Sequence, residues 1–293
     1  MIFWGLSFVG VKMVFDYKYM SPVATVFLRL IMASVFLIAL SLALKKLQRI
    51  ARKDILPFLL LAFFEPFLYY LGEGYGIKHV SPTVASIVIS TIPLFLPFSM
   101  YWLAKEKIVM GNYFGILVSF AGVMLVVLQG DLDFAASGQG VLYLMIAVAS
   151  VMGYSYILQR LSSKYNAMTI ISAQNFIGIF YFLPLFLIFD LKNMGSVQWD
   201  AGLLVPLISL AVFASALAFF LFTLAIQQIG VSRATIFTYL IPVITAIASY
   251  LIWKEDFNWQ KIAGIFLTIG GLFLSQVSFK KLVGMLSPIR RKS

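Results

Sequence analysis

Long apolar runs separated by short polar clusters define this chain. The stretches at about 2–15, 22–44, 55–76, 82–103, 109–128, 140–160, 168–189, 202–224, 233–253 and 260–279 each read as an apolar helix bounded by charge, Pro or Gly. Most approach the roughly 20 residues that cross a bilayer. The run Ile2–Phe15 is shorter and is interrupted by Lys12. It has neither the basic leader nor the cleavage-like site of a secretory signal, so it is expected to be a first span that has lost its beginning.

Composition supports a membrane class. Of 293 residues, 62% are hydrophobic and 11% are charged, against about 25% charged in soluble domains. There is no Cys and a single His, His79. Thiolate and histidine metal clusters are therefore excluded, and no cofactor is expected. The net charge of +11 is concentrated in particular loops rather than spread as a nucleic-acid surface. Lys45, Lys46, Arg49, Arg52 and Lys53, then Lys105, Lys107, Arg160, Lys164, Arg233 and the tail from Lys280 to Lys292, fall on one side of the ten spans. Lys18, Lys78, Lys192, Lys254 and Lys261 fall on the other, with Asp16, Asp131, Asp133, Asp190, Asp200, Glu255 and Asp256. The positive-inside rule makes the first side cytoplasmic and places both termini there.

A shift of 149 residues overlays the ends of two halves. Pro93 meets Pro242, Tyr101 meets Tyr250, Gly115 meets Gly264 and Gly122 meets Gly271. Lys105-Glu106 meets Lys254-Glu255. The expected organisation is a five-helix repeat over 1–133, a second over 134–281 and a basic cytoplasmic tail over 282–293. Five is odd, so the halves must insert with opposite topology. Inverted repeats of this kind characterise alternating-access transporters, with the solute site where the halves meet.

These features resemble the EamA-like branch of the drug/metabolite transporter superfamily. The resemblance rests on FWGLSFVGVK at the start, FLRL at 27–30, and the paired motifs TIPLFLPFSMYWLAKEK and LIPVITAIASYLIWKED. It implies an all-α integral membrane fold of ten helices in two inverted five-helix repeats. It also implies movement of small metabolites, often amino acids or related solutes, commonly outward across the cell membrane. The short first helix departs from the pattern.

The chemistry of interest lies in FFEPFLYYLGEGYG. On a helix, Glu65, Tyr69, Gly72, Glu73 and Gly76 share one stripe. The repeat partners of the two acids are Ala214 and Phe222, so the shared scaffold does not need carboxylates there. Two readings stand for Glu65. It faces a central cavity, holding an ammonium group or exchanging a proton, or it is tied to Arg29 or Lys12 as packing. Glu73 either lines the cavity or snorkels to the outer interface. Pro66 permits a bend next to Glu65. Trp4, Ser7 and Tyr154 sit on the first helix of each half, as cavity lining or interfacial anchors. Tyr239 precedes Pro242 in the ninth span, and Pro93 interrupts the fourth; both prolines are gating candidates or simple kinks. Expected partners are a small-molecule solute, the lipid bilayer and protons if Glu65 titrates, but not nucleic acid.

No Walker loop, nucleophile elbow or HExxH motif occurs, so coupling to ATP has no support. An integral-membrane enzyme or lipid-handling protein is the alternative. It requires clustered acids, bases or metal ligands at one surface, which this composition scarcely offers.

Overall fold

The structure, a computed structural model, describes residues 1–80, 82–105, 110–127, 138–253 and 259–276. Glu106, Lys107, Asp131, Asp133, Lys254, Glu255, Asp256, the 133/134 boundary and the 282–293 tail lie outside them. The described residues form helices and no strand. Among the described residues, six helical segments are long and apolar enough to cross a membrane: Pro22–Ala43, Arg52–His79, Gly138–Ser162, Ala167–Phe189, Ala201–Ile229 and Val231–Ile252. Four shorter apolar helices accompany them.

In chain order, α1 is Ile2–Phe15 and α2 is Pro22–Ala43. The next segment is broken into α3 (Ile55–Ala62), a π-helical turn (Phe63–Leu68) and α4 (Tyr69–His79). Then come α5 (Pro82–Ile89), α6 (Ile92–Ala104) and α7 (Met110–Val127). The second set begins with α8 (Gly138–Ser162) and α9 (Ala167–Phe189). It continues with α10 (Ala201–Ser209), a π-helical Leu210–Leu217 and α11 (Ala218–Ile229). It ends with α12 (Val231–Ile236), a 3-10 turn (Phe237–Tyr239), α13 (Leu240–Trp253) and α14 (Trp259–Gln276).

Local chemistry sets several boundaries. Ser21 caps α2, its hydroxyl accepting from the Ala24 amide at 3.0 Å, with Pro22 at the first helical position. Asn166 caps α9 through the Thr169 amide at 2.8 Å. Asp200 caps α10 through the Leu203 amide at 3.0 Å.

The fourth and ninth spans, each expected to be interrupted or kinked at its proline, are broken just before it. A turn at Ser90-Thr91 separates α5 from α6, and the 3-10 turn separates α12 from α13. Pro93 and Pro242 stand in the first turns of α6 and α13, directly after these breaks. There the amide that proline lacks has no intrahelical partner to lose. They mark restarts rather than kinks in mid-helix.

Breaks recur at equivalent places. The 149-residue shift carries 63–68 onto 212–217, inside the second π-helical segment, and Pro57 onto Pro206. Helices α7 and α14 run antiparallel in close contact. Gly115 lies against Gly271 and Ser275, Ser119 against Gly271, and Gly122 against Thr268 and Gly264. The Ser119 hydroxyl donates to the Thr268 carbonyl at 3.1 Å. In lipid, where no hydrophobic force joins helices, small residues of this kind let backbones approach. The same shift turns the Gly115–Gly271 contact into Gly264–Gly122.

Polar ties close the Lys-rich end. Asp54, buried at the start of the third segment, accepts from Lys164 Nζ at 2.7 Å and Tyr165 Oη at 2.9 Å. The Gln48 amide donates to Thr169 Oγ1 at 2.9 Å, and Gln227 Nε2 donates to the Tyr165 carbonyl at 2.9 Å. At the other end Tyr17 Oη donates to Asp200 Oδ1 at 2.8 Å.

Candidate functional site

The break in the third segment positions the site. Glu65 leaves helical geometry, with φ −143° and ψ 115°, immediately before Pro66. Small residues on neighbouring helices receive the displaced side chains. Gly178 of α9 lies against the Pro66 ring, and Gly153 of α8 against the Phe64 ring. Irregular backbone at membrane depth is tolerated only where protein or a cavity surrounds it, and both conditions hold here.

A cavity of about 70 Å³ lies beside this break, large enough for water. Glu65, Tyr69 and Glu73 line it with Arg29 of α2 and Tyr70 of α4. Trp4 and Ser7 of α1 and Tyr154 of α8 complete the polar lining together with Thr238. Phe219 and Phe222 of α11 supply aromatic surface. Trp4 stands edge-on to both, at 4.9 Å and 5.1 Å between centroids.

Arg29 is 3% exposed, and its bonds run to neutral partners. Nε and Nη2 donate to Ser215 Oγ at 3.3 Å and 3.1 Å, and Nη2 donates to Tyr70 Oη at 3.3 Å. The guanidinium also lies 4.6 Å from the Tyr70 ring centre. It forms no ion pair with Glu65 or Glu73 within 4.0 Å, although it acts electrostatically on both. Of the two readings of Glu65, the one that ties it directly to Arg29 finds no ion pair here. Glu65 is 2% exposed and its Oε1 has no hydrogen-bond partner; Tyr154 Oη is likewise buried and unpartnered.

Glu73 accepts from Tyr69 Oη at 3.0 Å. It is buried rather than snorkelling to an interface. The stripe read from helical periodicity separates in two. Glu65, Tyr69 and Glu73 face the cavity, whereas Gly72 and Gly76 lie against α8, at Tyr143, Ala147 and Leu144.

Two other candidates lie elsewhere. Tyr239 is fully buried among Ile116, Val123, Ile236 and Leu272, while its neighbours Thr238 and Ile241 reach the cavity. Lys12 lines a separate space of about 400 Å³ with Asp16, Met20 and Lys78.

The second π-helical segment was not foreseen as part of the site. Trp4 Nε1 donates to the Ala214 carbonyl at 3.2 Å, and Asn175 Nδ2 donates to the Ser215 carbonyl at 3.4 Å. A π-helical turn frees carbonyls for such bonds. Ser215 thus joins Arg29, Tyr70 and Asn175. The 149-residue shift carries Pro66 onto Ser215, so the chemistry at this position differs between the two sequence copies.

Comparison with known proteins agrees with this architecture. The sequence profile of the EamA-like transporter family matches residues 1–128 and 138–276. The uncharacterized transporter YetK of Bacillus subtilis is 28% identical over 262 residues, covering 87% of this chain and 78% of its own. An uncharacterized transporter of Archaeoglobus fulgidus is 27% identical over 272 residues, covering 93% and 94%. A solved crystal structure superposes with a TM-score of 0.77 over 96% of this chain and 94% of the other at 15% identity, a likeness of fold alone.

Proposed function

Because the chain belongs to the EamA-like transporter family, we propose that it is a secondary transporter moving a small organic solute outward across the cell membrane. Family membership and the long apolar helices make it a multi-pass membrane protein. The finer reading is alternating access between two inverted five-helix halves, 1–133 and 134–281. The 149-residue repeat, the recurrent π-helical breaks and the antiparallel α7–α14 contact support it. On this reading both termini and the 282–293 tail are cytoplasmic, and no catalytic step is involved.

One observation carries the proposal. Buried Glu65 and Glu73 share a small cavity with residues drawn from both halves. Intramembrane carboxylates are rare and mark solute or proton paths. Glu65 takes the solute or the proton. The broken segment around Pro66 and the restarts at Pro93 and Pro242 supply the places where the halves flex.

Flux into proteoliposomes from a broad panel of labelled amino acids and metabolites tests this. Saturable uptake of at least one solute is expected, with Glu65→Gln removing or altering its pH dependence. Folded protein that moves no member of the panel contradicts transport. A folded Glu65→Gln variant that transports as wild type at every pH reduces Glu65 to packing.

A further inference from the structure

The charge balance of the cavity narrows what occupies it, given the transporter reading above. Its described lining holds two carboxylates and one guanidinium. The guanidinium is already engaged by Ser215 and by the hydroxyl and ring of Tyr70. Glu73 has the Tyr69 hydroxyl. Glu65 Oε1 has nothing, at 2% exposure. A buried acceptor without a donor is costly, and a cation that brings N–H groups relieves it. Around it the lining is aromatic. Trp4, Phe219 and Phe222 form one edge-to-face cluster, and Tyr154 stands with its ring 6.4 Å from Phe219. Aromatic faces favour organic cations in a desolvated site.

We infer that the transported solute is a small organic monocation, an alkyl- or arylalkylammonium without a carboxylate. Its nitrogen sits at Glu65 and its apolar body lies on Trp4, Phe219 and Phe222. An amino-acid zwitterion fits worse. Its carboxylate shares the space with Glu65 and Glu73 as a like charge, and Arg29 reaches it only by releasing Ser215 or Tyr70 or by using its remaining N–H groups. Selectivity therefore follows net charge: the amine is preferred over the amino acid of the same side chain, and the matching acid is excluded.

The test uses four solutes with one phenyl body, titrated calorimetrically into the purified full-length protein at pH 7. They are 2-phenylethylamine, phenylalanine, 3-phenylpropionate and 2-phenylethanol. The amine is expected to bind at least tenfold more tightly than phenylalanine, with no saturable binding of the acid or the alcohol. Glu65→Gln is expected to weaken amine binding at least tenfold. Phe222→Ala, which leaves the carboxylates in place, is expected to weaken it severalfold and serves if Glu65→Gln fails to fold. Equal or tighter binding of phenylalanine or phenylpropionate overturns the inference. So does unchanged amine affinity in a folded variant, or no saturable binding by any of the four. Proteoliposome flux separates this from the transporter reading. Phenylalanine flux without amine flux keeps the transporter and overturns the cation site. Amine binding without flux of any solute keeps the cation site and overturns transport.

Discussion

Neighbouring glycines on α14 give the sharpest structural prediction. Gly270 and Gly271 are adjacent, yet they face different surroundings. A Cβ added at Gly271 would lie 2.5 Å from Ser119 Oγ and 2.8 Å from the Gly115 carbonyl oxygen, and would overlap the Ser119 amide. At Gly270 nothing lies within 4 Å. The obstacles at Gly271 are largely backbone, which cannot swing aside, so Gly271→Ala must separate α7 from α14. Overpacking of this kind costs about 1–3 kcal/mol. Gly270→Ala instead gains about 0.5–1 kcal/mol of helix propensity. Gly271→Ala gains the same propensity, so the two variants should differ by the overpacking cost alone, about 1–3 kcal/mol. Gly115→Ala and Gly122→Ala should resemble Gly271→Ala, since added atoms there approach the Gly271 and Gly264 carbonyl oxygens at 2.7 Å. Reversible unfolding in mixed SDS micelles reads the difference directly. Equal stability of the Gly270 and Gly271 variants refutes the α7–α14 contact as described.

Three further outcomes follow from other contacts. Arg29→Lys keeps the charge but cannot span Ser215 and Tyr70 together, so unfolding should show a loss of about 1.5–3 kcal/mol; wild-type stability contradicts those bonds. Asp54→Ala should raise amide hydrogen exchange in 44–54 and 163–169, because Lys164 and Tyr165 lose their shared acceptor; unchanged protection there argues that the Lys-rich end is held by apolar packing alone. Hydrogen bonds from the Tyr17 hydroxyl and the Leu203 amide hold the Asp200 carboxyl below the usual carboxylate range. A depressed folded value stabilises above the unfolded value of about 4 and is lost as pH falls through the folded one. The stability difference between wild type and Asp200→Ala should therefore be constant at neutral pH and shrink in acid; a difference unchanged into strong acid counts against the pairing.

The spans were legible because their boundaries are chemical. The α1 bounds Ile2–Phe15 coincide with the apolar run, and the second and seventh spans match α2 and α9 within a residue or so. Ser21-Pro22 and Asn166 announce helix starts in the sequence itself. The internal breaks were legible only in part. Pro66 signals one, but the π-helical Leu210–Leu217 contains neither Pro nor Gly. Periodicity assumes an unbroken 3.6-residue repeat, so it placed Gly72 and Gly76 with the acids instead of against α8. It also could not separate Tyr239 from Thr238 once a 3-10 turn intervened. The deeper reason is the solvent. Helices in lipid are apolar on every side, so hydrophobicity does not mark which face meets a cavity. Polar side chains mark it instead, which is why Glu65, Glu73, Arg29 and Tyr154 were visible beforehand. Phe219 and Phe222 carry no such mark, and Ser215 is one small hydroxyl within the apolar run Leu210–Leu217.

Glu65 and Tyr154 line one cavity, and the proposed transport cycle requires that the two halves around it insert in opposite directions. With no native Cys, single cysteines report sidedness without background. Cysteines at Tyr19, after α1, and at Ser163, after α8, follow the first helix of each half. Labelling of intact cells with an impermeant maleimide should modify the Tyr19 position and spare the Ser163 position until the membrane is opened. Modification of both positions from outside, or of neither, contradicts inverted halves and with them the proposed transport cycle.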